Sequence, residues 1–474
     1  MSCKPATRGQ RPRANARAII CAFALSLAAL APREALPADV QRIVATHPGS
    51  TAQWIIEKPS NWNGTVLLYA HGYAPSVSSA VPESAPRGAR DWLLARGYAL
   101  AASAYTAGGW ALAEAPGDQM QVLDEFVKRV AQPRRTIAWG SSMGGMVTLA
   151  LAERHPDRIQ GALPLCGSVS GSLGMLNTAL DGAFAFRTLV APDSGIRIVG
   201  VDDDRANSAR VATALQTAWN TPAGKARVVL AAALAQLPDW TDPASPRPTA
   251  AEFDARAEQL RRGFAMGVFV PRVDQEQRAG GVNGWNTGVD YRRVLRESPL
   301  RRLVEHFYRE AGIDLQADLA KLNAAPRIEA DAKAVAYMRA NFVPRGNWRI
   351  PVLTLQAIGD GVTVPTTHAA LGMLSAKAGR NHMVGQLWVE RAGHCIFTPA
   401  ELAAALATLE NRLDTGRWSL EPAQVNARGG DAGGDTRFIP YTPSHMPRLC
   451  GAQPGSCPGE PQPAGQVVPA KAAR

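Results

Sequence analysis

The sequence predicts an α/β protein: a mostly parallel central sheet flanked by helices and carrying a large helical insertion. Two observations lead there. Between residues 52 and 167, short apolar runs alternate with helical patterns, and strand and helix taking turns at short spacing means a parallel sheet wrapped by helices. That rhythm stops near Gly167 and resumes at "IPVLTLQAIGD" (350–360), too far downstream for a loop to fill the gap.

The amino terminus reads as an address rather than as structure. A basic stretch, "KPATRGQRPRANAR", precedes the apolar "AIICAFALSLAALA" and then "PREALPADV". A basic region, a short apolar region and a small-residue exit form a secretory signal. The apolar run is shorter than a membrane-spanning helix needs, and no other segment qualifies. Cleavage after Ala31 would leave Pro32 next to the cut, so a signal over residues 1–38 is expected; an uncleaved anchor is the alternative. The mature protein is then periplasmic or extracellular, with no stable membrane span.

In "TAQWIIEKPSNWNGTVLLYAHGY" a strand is followed by a turn at Asn61–Gly64 and a buried strand at Thr65–Ala70, whose unbroken apolar run suits a strand covered on both faces. Next come a helix over 89–96 and a strand over 98–104. A helix capped by Asp118 runs to Val130, a strand spans 136–139, a helix 144–154 and a strand 162–165. After the insertion, a strand at 352–357, a helix at 366–378, a strand at 386–389 and a helix at 399–413 complete the core. The last helix carries a capping-box signature: Thr398 before it, Pro399 at its first position and Glu401 three residues after the cap.

The core is thus 39–167 and 350–420, with a mainly helical cap over 168–349. "PAGKARVVLAAALAQL", "AEFDARAEQLRRGFAMGVF", "YRRVLRESPLRRLVEHFYREAG" and "EADAKAVAYMRANF" are the cap's clearest helices. Residues 421–474 turn rich in Gly, Pro and Ala and read as an irregular wrap or a mobile tail.

The net charge of +11 falls to +6 without the first 31 residues, and no Lys/Arg run is interleaved with aromatics, so no nucleic-acid partner is expected. Four cysteines lie beyond the signal: Cys166, Cys395, Cys450 and Cys457. Export permits disulfides. Cys450 and Cys457 bracket a short loop that a bond could close, leaving Cys166 and Cys395 to pair or to stay as buried thiols.

The chemistry centres on "IAWGSSMGGM" (137–146), where an apolar strand breaks into glycines and serines just before a helix. Gly140-Ser141-Ser142-Met143-Gly144 fits G-x-S-x-G in the context that gives the motif its mechanics. The bend strains the central residue, and its neighbours two positions away must be small. Ser142 then sits at a helix N-terminus, where backbone N–H groups favour developing negative charge. The alternative is a glycine-rich turn with idle hydroxyls.

On "LLYAHGY", "WGSSMGG", "LQAIGDGVTVP" and "ERAGHCIF", four separated segments, the chain resembles the α/β-hydrolase family over roughly 52–167 and 348–413. The resemblance implies the order nucleophile, acid, histidine. A serine hydroxyl needs a base, and the base an orienting carboxylate. His394, after the last predicted strand, is the candidate base. Asp360, after "PVLTLQAI", is the candidate acid. The family pattern places the oxyanion donors at the backbone N–H of Met143 and of Tyr73, with His71 shaping the second loop. Structural alternatives are a core histidine for His394 and an Asp-Gly turn for Asp360.

Asp202, Asp203 and Asp204 read as a solvated face, and Asp118 and Asp124 as helical and external. Trp110, Trp219, Trp240 and Trp285 either line a pocket or pack. No metal-ligand spacing and no phosphate-cradling loop appears, so no metal or other cofactor is expected. The expectation is an exported serine hydrolase cleaving small or polymeric carboxylic esters through an acyl-enzyme. A serine peptidase or amidase of the same fold is the first alternative, and a non-catalytic binding protein the second.

Overall fold

The computed structural model describes residues 39–444. Eight strands form one sheet: β1 (Val40–Thr46), β2 (Gln53–Pro59), β3 (Thr65–Ala70), β4 (Ala99–Ser103), β5 (Arg135–Ser141), β6 (Gly161–Leu165), β7 (Val352–Gly359) and β8 (Val384–Ala392). Their spatial order is β1-β2-β4-β3-β5-β6-β7-β8. β2 runs antiparallel to both β1 and β4, and every pair from β4 to β8 is parallel. This is the α/β-hydrolase fold.

Side chains of β3 alternate between two cores. Val66 and Leu68 join the apolar cluster of one face, Leu67 and Tyr69 that of the other. A strand buried on both faces has no solvent side, which is why β3 to β6 read as largely apolar runs, while β7 buries Thr354 and Gln356 on partners in His368 and the Thr363 carbonyl. The flanking helices are α1 (Arg90–Ala95), α2 (Ala115–Arg129), α3 (Met143–Arg154), α13 (Thr367–Lys377) and α14 (Pro399–Thr415). At the start of α14 the capping box is formed: the Thr398 hydroxyl accepts from the Glu401 N–H, and the Glu401 carboxylate accepts from the Thr398 N–H.

β4 and β5 lie on opposite sides of β3. Their connections diverge there and leave a crevice beyond the carboxyl ends of β3 and β5, the place where open α/β sheets bind ligands.

Nine helices lie between β6 and β7: α4 (Ser172–Leu189), α5 (Asp204–Trp219), α6 (Pro222–Leu234), α7 (Phe253–Val268), α8 (Val273–Ala279), α9 (Tyr291–Glu297), α10 (Arg301–Glu310), α11 (Leu315–Ala324) and α12 (Ala332–Phe342). α4 to α7 and α9 to α11 share an apolar core in which Phe184, Phe186, Leu230, Phe264, Tyr291 and Phe307 meet, whereas α8 and α12 pack into the cluster on the sheet. The insertion is pinned to the sheet domain through α8. The Asp274 carboxylate accepts the Trp110 N–H at 2.6 Å, and Arg278 donates to the Gly108 carbonyl at 2.7 Å and to Glu114 at 2.9 Å.

Several elements differ from the reading of the sequence. β1 was not anticipated. α2 begins at Ala115, so Asp118 does not cap it; the carboxylate is buried and accepts from the N–H and hydroxyl of Thr106. The long helical stretch from Tyr291 divides into α9 and α10 around Ser298-Pro299, since proline cannot extend a helix to the residue before it. Of the acidic run, Asp203 caps α5, and Asp204 accepts from the backbone of Arg272 and Val273. Asp202 and Asp203 are exposed, in line with the expected solvated face, and Asp204 is the half-buried exception. Within 421–444, α15 (Pro422–Asn426) leads to a segment that pairs with β8: Ile439 donates to Trp388 and Glu390 to Arg437. Chain laid there covers the sheet's outer edge. The expected signal and the Cys450–Cys457 pairing lie outside the described residues.

Candidate active site

Ser142 stands between β5 and α3 with φ 58° and ψ −120°. A non-glycine residue in that region is strained and must be held by its surroundings. The surroundings are two glycines pressed against backbone. A β-carbon on Gly140 would lie 2.6 Å from the Ala70 carbonyl oxygen, and one on Gly144 would lie 2.0 Å from the same atom. Only hydrogen fits at either place. The corner turns sharply enough to leave the Ser142 hydroxyl in the crevice. Its neighbour Ser141 faces the core side, where it accepts from Tyr69, a phenol that burial pushes up to about 12.

His394 follows β8, and its Nε2 lies 2.8 Å from Ser142 Oγ. Its Nδ1 lies 2.8 Å from one Asp360 oxygen and 3.1 Å from the other. A carboxylate can only accept, so the Nδ1 proton faces Asp360 and Nε2 is free to accept from the serine. Burial alone would lower the His394 pKa, but the charge of Asp360 and its hydrogen bond outweigh burial, and the net direction is upward. Asp360 is itself fully buried and anchored: it accepts the N–H groups of Val362 (2.8 Å) and Thr363 (3.0 Å) and the Thr363 hydroxyl (2.8 Å).

A disulfide joins Cys166, just after β6, to Cys395, just after the histidine, with a Cα–Cα distance of 5.2 Å. It ties the histidine loop to the strand beside the nucleophile. Cys395 Sγ lies 3.5 Å from His394 Nε2.

The loop after β3 packs on the corner from the other side. A β-carbon on Gly72 would lie 3.3 Å from Ser142 Cβ. His71 stacks on Tyr105 at 4.0 Å, and the Tyr105 hydroxyl donates to the His71 carbonyl at 3.1 Å. Tyr105 holds a left-handed φ of 57° while fully enclosed. The Met143 N–H opens α3 and, as a first-turn amide, has no acceptor within the helix.

A cavity of about 360 Å³ opens over Ser142. Gly72, Tyr73 and Trp110 line it from the sheet domain, with Met143 and Met146 from α3. Met175, Met266, Val270 and Pro271 close it from the insertion, and Val362, Thr363, His394 and Cys395 from the far side. Ser142, Asp360 and His394 are therefore in one place, with Met143 and Tyr73 beside them. Of the four tryptophans, Trp110 lines the cavity, and Trp285 is buried in the core; Trp219 and Trp240 are not part of the lining. The methionine walls and the Tyr105 support were not anticipated. Met143 and Met146, one helical turn apart beside the serine, carried a readable signal; Met175 and Met266 arrive from distant helices and carried none.

No family model matches the chain. Over 426 residues it is 29% identical to an o-phthalyl amidase of Xanthobacter agilis, covering 82% of this chain and 91% of that protein. It is also similar to the rice cell wall degrading esterase LipA from Xanthomonas oryzae, with 14% identity over 80% of this chain and 91% of that one and a TM-score of 0.37. With the acylaminoacyl peptidase of Pyrococcus horikoshii the identity is 10%, over 75% of this chain and 38% of that one, at a TM-score of 0.33.

Proposed function

We propose that this α/β-hydrolase-fold chain is an exported serine hydrolase that transfers the acyl group of a carboxylic ester to water. The observation that carries this is the line from Ser142 Oγ through the His394 ring to Asp360, each gap 2.8 Å.

Ser142 attacks the substrate carbonyl while Nε2 of His394 takes its proton. The Asp360 carboxylate holds the ring in the tautomer that can accept and stabilises the imidazolium that forms. The N–H groups of Met143 and Tyr73 receive the oxyanion, the largest single contribution in sites of this kind. The imidazolium then returns its proton to the leaving oxygen, and an alcohol departs. Water, deprotonated by the same imidazole, releases the acid and regenerates Ser142. A basic then apolar leader and the Cys166–Cys395 bond support export.

Cleavage of an amide is the second reading, favoured by the 29% identity to an amidase over most of both chains. The residues and steps are the same, with an amine as the group that His394 protonates.

The test is labelling with a fluorophosphonate probe followed by peptide mapping, with turnover of p-nitrophenyl esters and aminoacyl anilides measured in parallel. One adduct at Ser142, and a Ser142→Ala variant that keeps its melting temperature while losing about 10⁴-fold or more of its rate, are expected. An active Ser142→Ala variant would mean another nucleophile. Anilide turnover above ester turnover would select the amide reading.

A further inference from the structure

We infer that the acyl group this site accepts is a single uncharged aromatic ring seated among Trp110, Met146 and Met175, a reading that rests on the acyl transfer proposed above.

The direction of the substrate follows from where the proton must go. His394 delivers it to the leaving atom, so the leaving group lies on the side of the cavity made by Val362, Thr363 and Cys395, beyond β7 and β8. The acyl substituent turns the other way. There it meets Trp110 after β4, Tyr73 after β3, Met146 on α3 and Met175 on α4.

These walls suit a ring. The Trp110 and Tyr73 rings lie with centroids 5.9 Å apart, and the backbone N–H of Trp110 is bonded to Asp274, which holds the chain that carries the indole. Methionine sulfur is polarisable and makes favourable contacts with aromatic edges, and its unbranched chain fits around a flat guest. Four of the chain's ten methionines, Met143, Met146, Met175 and Met266, line this one cavity.

The volume accommodates one ring together with the reacting group. A void of about 150 Å³ holds benzene, and the whole cavity is about 360 Å³. The remainder takes the scissile group and a small alcohol or amine.

Charge excludes a carboxylated ring. No Lys or Arg side chain lines the cavity among the described residues. Arg272, next to the lining Pro271, is instead engaged with Glu276 at 3.8 Å and with the Leu176 carbonyl at 3.3 Å. A carboxylate there would lose its hydration without gaining a Lys or Arg partner.

The experiment measures kcat/KM by pH-stat for methyl esters, and by ammonia release for primary amides, of acetic, butyric, palmitic, benzoic and 2-carboxybenzoic acids. Whichever series turns over gives the ranking. Benzoyl is expected to exceed butyryl at least tenfold and 2-carboxybenzoyl at least tenfold, with palmitoyl the slowest. Met175→Trp, which fills the ring's place, is expected to lower the benzoyl-to-acetyl ratio of kcat/KM at least tenfold. Met175→Ala, a milder change should the tryptophan not fold, is expected to raise KM for benzoyl more than for acetyl, lowering the same ratio at least threefold. Butyryl equal to or above benzoyl, a preference for 2-carboxybenzoyl, or Met175 variants that slow acetyl and benzoyl alike would overturn the assignment. Labelling of Ser142 without turnover of any of these compounds would overturn it too. Failure of Ser142 to label, with no turnover, would bring down the parent reading instead.

Discussion

The α-carbon of Gly144 faces the carbonyl oxygen of Ala70 so closely that a β-carbon there would lie 2.0 Å from it. The obstacle is backbone at the end of β3, which cannot rotate aside as a side chain would. Gly144→Ala is therefore expected to cost about 3 kcal/mol or more, the upper range for overpacking, read as a lowered urea midpoint. Gly372→Ala on α13 is the control. Nothing lies within 4 Å of the added methyl, and helix propensity favours alanine by about 1 kcal/mol, so that midpoint should rise. A neutral Gly144→Ala would show that the corner relaxes freely.

The pH profile follows from His394. Its pKa is raised above the ordinary 6.5 because the Asp360 charge and hydrogen bond outweigh burial. With the neutral ring as the proposed base, kcat/KM is expected to rise with pH through a midpoint above 6.5. In Asp360→Asn the raising influence is gone and burial remains. The midpoint should then move to lower pH while the plateau falls by about 10⁴-fold. Stability has the opposite slope: a raised folded-state pKa contributes stability below the unfolded value, and that contribution is lost as pH climbs through the folded one. A wild-type midpoint below 6.5 would contradict this electrostatic account.

Tyr105 acts through the loop it supports. Removing its hydroxyl in Tyr105→Phe keeps the stack on His71 but frees the His71 carbonyl, to which that hydroxyl donates at 3.1 Å. The nearby Tyr73 amide, the proposed oxyanion donor, is then held less firmly. A fall in kcat of about tenfold with KM unchanged is expected, smaller than the roughly hundredfold loss of a whole oxyanion donor. A loss confined to melting temperature would make Tyr105 structural only.

The Cys166–Cys395 bond is expected to contribute about 2–5 kcal/mol, the usual cost of removing a native disulfide. The Cys166→Ser/Cys395→Ser double variant should melt earlier. It should also label more slowly with fluorophosphonate at temperatures where it remains folded, because the residue after His394 has lost its tether. Equal labelling rates would show that the histidine loop holds its place unaided.

What could be read from the sequence was what local pattern determines. β3, β5 and β7 are buried on both faces and stand out as largely apolar runs, and Thr398 with Glu401 forms a cap recognisable from four residues. The group of Ser142, Asp360 and His394 was legible because each sits at a strand end with its own turn chemistry. β1 was missed because its exposed and half-buried residues alternate irregularly beside the export-like leader. α4 was missed because almost every residue in it is buried, so no polar face marks a period. The roles of Asp118 and Asp204 were misread for another reason: their partners, Thr106 and the backbone of Arg272, come from elsewhere in the chain, and an acidic side chain alone does not announce what it will accept from.

The Asp274 and Arg278 contacts fasten the insertion to the very stretch, Gly108 to Trp110, that forms a wall beneath it. Roof and wall are thus one piece, and swinging the roof away would tear the wall out with it. The exposed Met266 and Tyr73 line the same cavity, so it reaches solvent between the fastened roof and the wall. Under the proposed acyl transfer, an opening held at both its margins sets a premium on leaving groups small enough to clear it.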